Sequence, residues 1–75
     1  MAREQLTEIL AEMVANVMAV EVGPGDPVTA GQTVCLLESM KMEIPVIAER
    51  EGTVRAVKVG PGDVVQEGDV LIVLG

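Results

Sequence analysis

The block Val22-Gly23-Pro24-Gly25-Asp26 returns 37 residues later as Val59-Gly60-Pro61-Gly62-Asp63. Self-similarity at a fixed period marks a fold built from repeated supersecondary units. Outward from the two blocks, residues 9–37 lie over residues 46–74 with 13 of 29 positions identical, among them Ala11/Ala48, Val17/Val54 and Leu37/Leu74. Most of the other positions exchange like for like. Within each block Pro fixes φ and the flanking glycines accept φ > 0, which predicts a tight turn.

The residues around each turn read as short strands. Each unit begins with a brief apolar strand at 9–11 or 46–48. A longer one follows at 17–22 or 54–59, where Val recurs with gaps of three and two, so a bulge near Ala19 or Ala56 is needed to restore the alternation. After the Gly-Pro-Gly-Asp turn come a very short strand at 26–28 or 63–65, a second turn at Gly31-Gln32 or Gly68-Asp69, and a closing strand at 33–39 or 70–74. Neither unit alone has the apolar surface for a core, but two related by a pseudo-dyad lay one small sheet against another, giving an all-β flattened barrel or sandwich of about eight strands. The competing reading is a helix over residues 2–14, because Leu6, Ile9, Leu10, Met13 and Val14 share a helical face. The repeat favours strand there, since it makes Ile9-Leu10 equivalent to Val46-Ile47. Residues 1–6 are expected to fray, leaving one domain over 7–75.

Composition agrees with a small β domain and excludes several functions. The chain has 75 residues, 49% of them hydrophobic, with no Phe, Tyr or Trp. Fourteen valines supply much of the apolar surface, and β-branched side chains favour strands. A net charge of −7 repels phosphate backbones, and no aromatic ring is available for bases to stack on, so nucleic acid is a poor partner. With no His and only Cys35, the chain cannot supply a Cys/His zinc cage, a Ser-His or Cys-His pair, or an internal disulfide. The start lacks the apolar core of a signal peptide and no apolar run is long enough to cross a bilayer, so the expectation is a soluble, cytoplasmic protein with no membrane partner.

One segment has no counterpart in the repeat: Glu38-Ser39-Met40-Lys41-Met42-Glu43-Ile44-Pro45, between the two units. A two-residue hairpin connection should carry Asn-Gly or Asp-Gly, because both positions need φ > 0. Here the centre is Met-Lys-Met, and broken local rules tend to mark functional or strained sites. The chain has only two lysines. Lys58 sits beside a repeat turn, at the position Glu21 holds in the other unit, and reads as solvated surface. Lys41 is bracketed by soft, adaptable Met side chains at a protruding tip. An ordinary exposed lysine with its Met neighbours packed into the core is the bland alternative; it leaves the bracketing unexplained.

Glu38-Ser39-Met40-Lys41-Met42 resembles the E-A-M-K-M signature of biotinyl domains, with Ser in place of the commoner Ala, and the resemblance covers nearly the whole chain. It is similar in particular to small stand-alone biotin attachment proteins, which likewise continue I-P-V-x-A. The resemblance implies a flattened barrel of two quasi-symmetric four-stranded antiparallel sheets with a modified lysine on a hairpin. It implies covalent biotin on Lys41, with Met40, Met42 and Glu38 recognised by a biotin protein ligase. It further implies a non-catalytic biotin carboxyl carrier, monomeric in isolation, that serves a biotin carboxylase and a carboxyltransferase, of an acyl-CoA carboxylase in the first instance. Lipoyl domains share the fold but generally place Asp and Ala where Met40 and Met42 stand, so a lipoyl carrier is the alternative within the family. An unmodified β-sandwich interaction module using the Met tip as a docking knob is the alternative outside it. The chain departs from the usual P-M-x-G before the second strand, having Glu12-Met13-Val14-Ala15, and it lacks the thumb insertion of some carriers.

Other candidate sites have structural explanations. Pro24 and Pro61 remove an N–H from each would-be phosphate nest and no Lys-Ser/Thr follows, so both V-G-P-G-D blocks are turns. Cys35 occupies the position of Ile72 in the repeat and is expected to be a small buried hydrophobe. The twelve carboxylates show no calcium-loop spacing.

Overall fold

The computed structural model describes residues 5–75. Eight strands follow one another: β1 (Thr7–Leu10), β2 (Ala15–Val20), β3 (Pro27–Val28), β4 (Thr33–Ser39), β5 (Met42–Ile47), β6 (Gly52–Val57), β7 (Val64–Val65) and β8 (Val70–Leu74). They form two four-stranded sheets, ordered β1-β8-β6-β3 and β5-β4-β2-β7, with every pairing antiparallel. Each sheet takes two strands from each repeat unit. The expected pseudo-dyad is therefore present, but the units interleave across both layers instead of supplying one layer each.

The turn blocks explain the interleaving. In Gly23 to Asp26 the Asp26 N–H donates to the Gly23 carbonyl at 3.1 Å, and Gly25 has φ 91°, the geometry of a turn with Pro at its second position and Gly at its third. The Asp26 carboxylate accepts a bond from the Gly23 N–H at 2.8 Å. Gly60 to Asp63 repeats the arrangement at 3.1 and 2.8 Å. Each turn then docks on the other unit. Gly25 N–H donates to Val54 and Val54 N–H to Asp26, while Gly62 N–H donates to Val17 and Val17 N–H to Asp63, all at 2.8 to 2.9 Å. Ala11 likewise exchanges two bonds with Gly68 and Asp69, and Ala48 with Gly31 and Gln32.

Both expected bulges occur. Met18 is skipped between Val17 and Ala19, and Arg55 between Val54 and Ala56. A second symmetric pair lies at Val34 and Leu71, each skipped by its partner strand. It turns consecutive residues into the core, so Val34-Cys35 and Leu71-Ile72 are all fully buried. Several strand limits differ from the reading of the sequence: β2 and β6 run over 15–20 and 52–57 instead of 17–22 and 54–59. β1 and β5 begin earlier, at Thr7 and Met42, and stop at Leu10 and Ile47, leaving Ala11 and Ala48 as the buried residues that bond the second turns. Residues 7–10 are strand, not helix, because Thr7 to Leu10 complete the edge of the β8 sheet. The rest of the helix and fraying expectations falls partly on residues 1–4, outside the described residues; Gln5 and Leu6 are exposed and without regular structure.

Cys35 lies between Val20 and Val46, as Ile72 lies between Val57 and Ile9. Burial first, and then the Glu21 carboxylate, pushes its thiol from the ordinary 9.0 up to about 11. A group whose folded value lies above its unfolded one stabilises the fold fully below the unfolded value, and that contribution is lost as pH rises through the folded value. With no tyrosine present, only amino groups compete in this range. The melting temperature of the wild type is expected to fall more between pH 8.5 and 11 than that of Cys35→Ala. Parallel declines in thermal melts of the two proteins would contradict the buried-thiol assignment.

Candidate functional site

β4 and β5 form the longest ladder in the molecule, running from Thr33↔Ile47 to Ser39↔Met42. Its core face carries Leu37, buried, and Ile44, half-buried. Beyond that pair the hairpin leaves the core. Glu38↔Glu43 and Ser39↔Met42 continue the pairing, and Met40 and Lys41 close it as a two-residue turn. At about 3.3 Å per residue the tip stands roughly 7–10 Å past the last core pair.

The turn itself is strained. Met40 has φ 53° and Lys41 φ 64°, and they are the two non-glycine residues with positive φ among those described. A two-residue hairpin whose twist matches its strands requires this left-handed pair. Asn-Gly would adopt it at little cost, whereas an L residue with a long side chain costs roughly 1–2 kcal/mol. The ladder imposes the conformation: β4 is held on its other side by β2 and cannot slip without expelling Leu37.

Lys41 is exposed, Met40 is 92% exposed and Met42 66% exposed. The Met pair is therefore not part of the core, and the bland reading of it fails. Glu38 and Glu43 face one another on the outer side of the hairpin, both exposed. Like charges opposed across two strands are mildly destabilising. The pairing thus sets Glu43, which the sequence already places near Lys41 along with Glu38, directly opposite Glu38. Lys58, the other lysine, is exposed just past the end of β6, where its N–H donates to Leu71.

Position along the barrel follows from the hydrogen bonds. Gly75 exchanges bonds of 2.8 and 2.9 Å with Thr53, and neighbouring Gly52 pairs with Val28. The turn after β3 bonds Ala48, which follows the end of β5 remote from Lys41. The end of the chain and the lysine therefore occupy opposite ends. The dyad carries Leu37↔Ile44 onto Leu74↔Thr7, so the hairpin stands where the other half of the molecule has its chain ends.

A family model described as "Biotin-requiring enzyme" matches residues 7–74. "Biotinylated protein TB7.3" of Mycobacterium tuberculosis is 55% identical over 40 residues, covering 53% of this chain and 56% of that protein. The chain thus spans about half the length of the curated relatives it matches. Among solved structures, the urea carboxylase of Kluyveromyces lactis superposes with a TM-score of 0.89 at 28% identity, over 100% of this chain and 7% of that one. A single-chain, multi-domain long-chain acyl-CoA carboxylase gives 0.86 at 32% identity, over 96% and 7%. The lipoyl domain of the 2-oxoglutarate dehydrogenase complex from Azotobacter vinelandii gives 0.72 at 26% identity, over 83% and 78%.

Replacing Met40 and Lys41 together by Asn-Gly relieves the turn. Stability is expected to rise by about 1–2 kcal/mol, the roughly 1–2 kcal/mol relieved at each of the two residues less the chain entropy the new Gly loses on folding and the cost Asn retains, read as a higher denaturant midpoint with unchanged slope. A midpoint at or below that of the wild type would show that the tip is not strained.

Proposed function

Since this chain belongs to the biotin/lipoyl attachment family, we propose that it is a biotin carboxyl carrier in which Lys41 is the acylated residue. The observation that carries the reading is the two-residue left-handed turn that holds a lone primary amine clear of the core between two exposed Met side chains. Such a tip suits entry into another protein's active site. An amine on a strand face does not.

The residues fit a covalently attached acyl group. An amine is the acceptor an activated carboxyl requires, and only its free-base form has the lone pair to attack, so the ligase must take up the proton in the course of the reaction. Lys41 Nζ then adds to the carbonyl of a biotinyl-adenylate, the amide bond forms and the adenylate leaves. When attached, biotin supplies a ureido nitrogen that carries a carboxyl group between two enzymes. The chain's own contribution is positioning: the β4–β5 ladder fixes where the arm starts, and tethering raises the concentration of its far end at each partner site. Met40, Met42 and Glu38 form the surface a ligase meets first. The partners under this reading are a biotin protein ligase, a biotin carboxylase and a carboxyltransferase, the last belonging to an acyl-CoA carboxylase. The likeness to carboxylase chains supports that choice, as do the Met flanks in place of Asp and Ala. The domain is not itself an enzyme, and it works as a cytoplasmic monomer.

Incubation with a biotin protein ligase tests the proposal. Lys58→Ala is expected to label like the wild type, and Lys41→Ala and Lys41→Arg not at all, because a guanidinium is no acyl acceptor. Streptavidin-positive Lys41→Ala would overturn the assignment.

A second variant separates exposure from position. Exchanging the pair, Lys41→Met with Met42→Lys, moves the amine onto the strand face shared with Ile44 and Val46. Met42 is exposed, so the variant should fold. It should nevertheless label poorly under limiting ligase, because an attacking group misplaced by ångströms reacts slowly. Equal labelling rates would mean that an exposed amine anywhere on the hairpin suffices.

A further inference from the structure

We propose that Met40 and Met42 form a paired methionine-oxidation site, at which a hydroperoxide converts the apolar collar of Lys41 into a polar one and slows acylation of the lysine. The consequence for acylation rests on the function proposed above. The location of the chemistry does not.

Thiolates ordinarily take the oxidant before thioethers do. This chain has one thiol, Cys35, which is 0% exposed and whose ionisation is pushed up to about 11, so it presents no thiolate at neutral pH. The soft nucleophiles that remain are methionines. Their exposures are graded: Met40 92%, Met42 66%, Met18 43% and Met13 38%. Met40 and Met42 adjoin Lys41 on either side, whereas Met18 sits in the β2 bulge and Met13 precedes β2. Among the described residues, the most exposed methionines are thus the two bracketing the amine.

Oxidation is balanced by the peroxide alone. The sulfur lone pair attacks one peroxide oxygen, the O–O bond breaks, an S=O bond forms and the other oxygen leaves with the proton, as water from hydrogen peroxide or as an alcohol from an organic hydroperoxide; sulfur is oxidised by two electrons and the peroxide is reduced. The product is a polar, chiral side chain in place of a flexible apolar one, and thiol-dependent sulfoxide reductases reverse it. Because both side chains point into solvent, the fold does not register the change. A partner that packs on them does.

The test uses the unbiotinylated chain treated with limiting hydrogen peroxide and quenched with catalase. Fragment mass spectrometry is expected to find oxygen on Met40, then Met42, before Met13 or Met18, with Cys35 unmodified and the melting temperature unchanged. Initial labelling by limiting biotin protein ligase should fall by about fivefold or more and return after methionine sulfoxide reductase treatment. In the Met40→Leu, Met42→Leu variant, treated and untreated samples should label at the same rate, whatever that rate is. First oxidation at Met13, Met18 or Cys35 would overturn the site. Undiminished labelling of protein shown to carry both sulfoxides would overturn the consequence. If untreated protein accepts no biotin, the carrier reading fails instead, and the peptide map still decides where the oxygen lands.

Discussion

Four pairs of backbone hydrogen bonds between the two repeat units hold the molecule together. Val17 is bonded by Gly62 and Asp63, Val54 by Gly25 and Asp26, Ala11 by Gly68 and Asp69, and Ala48 by Gly31 and Gln32. Each requires a turn with a glycine at positive φ, and all four glycines involved, Gly25, Gly31, Gly62 and Gly68, have φ near 90°. Neither unit can satisfy these groups alone. A buried core of Val, Leu, Ile, Ala and Cys, with no aromatic ring, depends on both units closing together. The second bulge in β4 and β8 belongs to the same economy, since it places two consecutive side chains of one strand inside a thin core.

An approximate dyad makes almost every position occur twice, so a unique site has to lie where the symmetry is broken. It breaks at the connection between the units. On one side the chain crosses from β4 to β5 through Met40 and Lys41; on the other, the equivalent strands β8 and β1 are where the chain ends. The tip is costly in backbone terms and exposes two large apolar side chains, a combination that folding alone does not favour. Functional sites commonly depart from local rules in this way. Rigidity behind the tip and exposure at it serve the same end, because the ladder fixes the lysine while nothing covers it.

Most of the fold was legible because turn chemistry is local. Gly-Pro-Gly-Asp has few conformations, and its recurrence located the strands to within two to four residues, the closing strands 33–39 and 70–74 to the residue and the bulges at Ala19 and Ala56 within one position. The interleaving of units between sheets was not legible, since it depends on which unit a turn bonds and not on the turn. The bulge at Val34 and Leu71 was hidden for a related reason: a continuous apolar run such as Val70 to Leu74 does not reveal which residues oppose a partner. At the site, the missing Asn-Gly marked Met40-Lys41 as a broken rule, and the structure turns that anomaly into two left-handed residues. That Glu38 and Glu43 oppose one another was not legible, because it depends on the register of the two strands.

The central claim is that one amine, at one turn, carries the cofactor. Mass spectrometry of the protein isolated from its native cells tests it most directly, because biotin adds about 226 Da and lipoate about 188 Da. Trypsin does not cut after an acylated lysine, so modification at Lys41 leaves residues 4–50 as one peptide. The account predicts that peptide with the added 226 Da. An unmodified intact mass, an addition of 188 Da, or the added mass on residues 56–75, the peptide left when an acylated Lys58 resists trypsin, would contradict it.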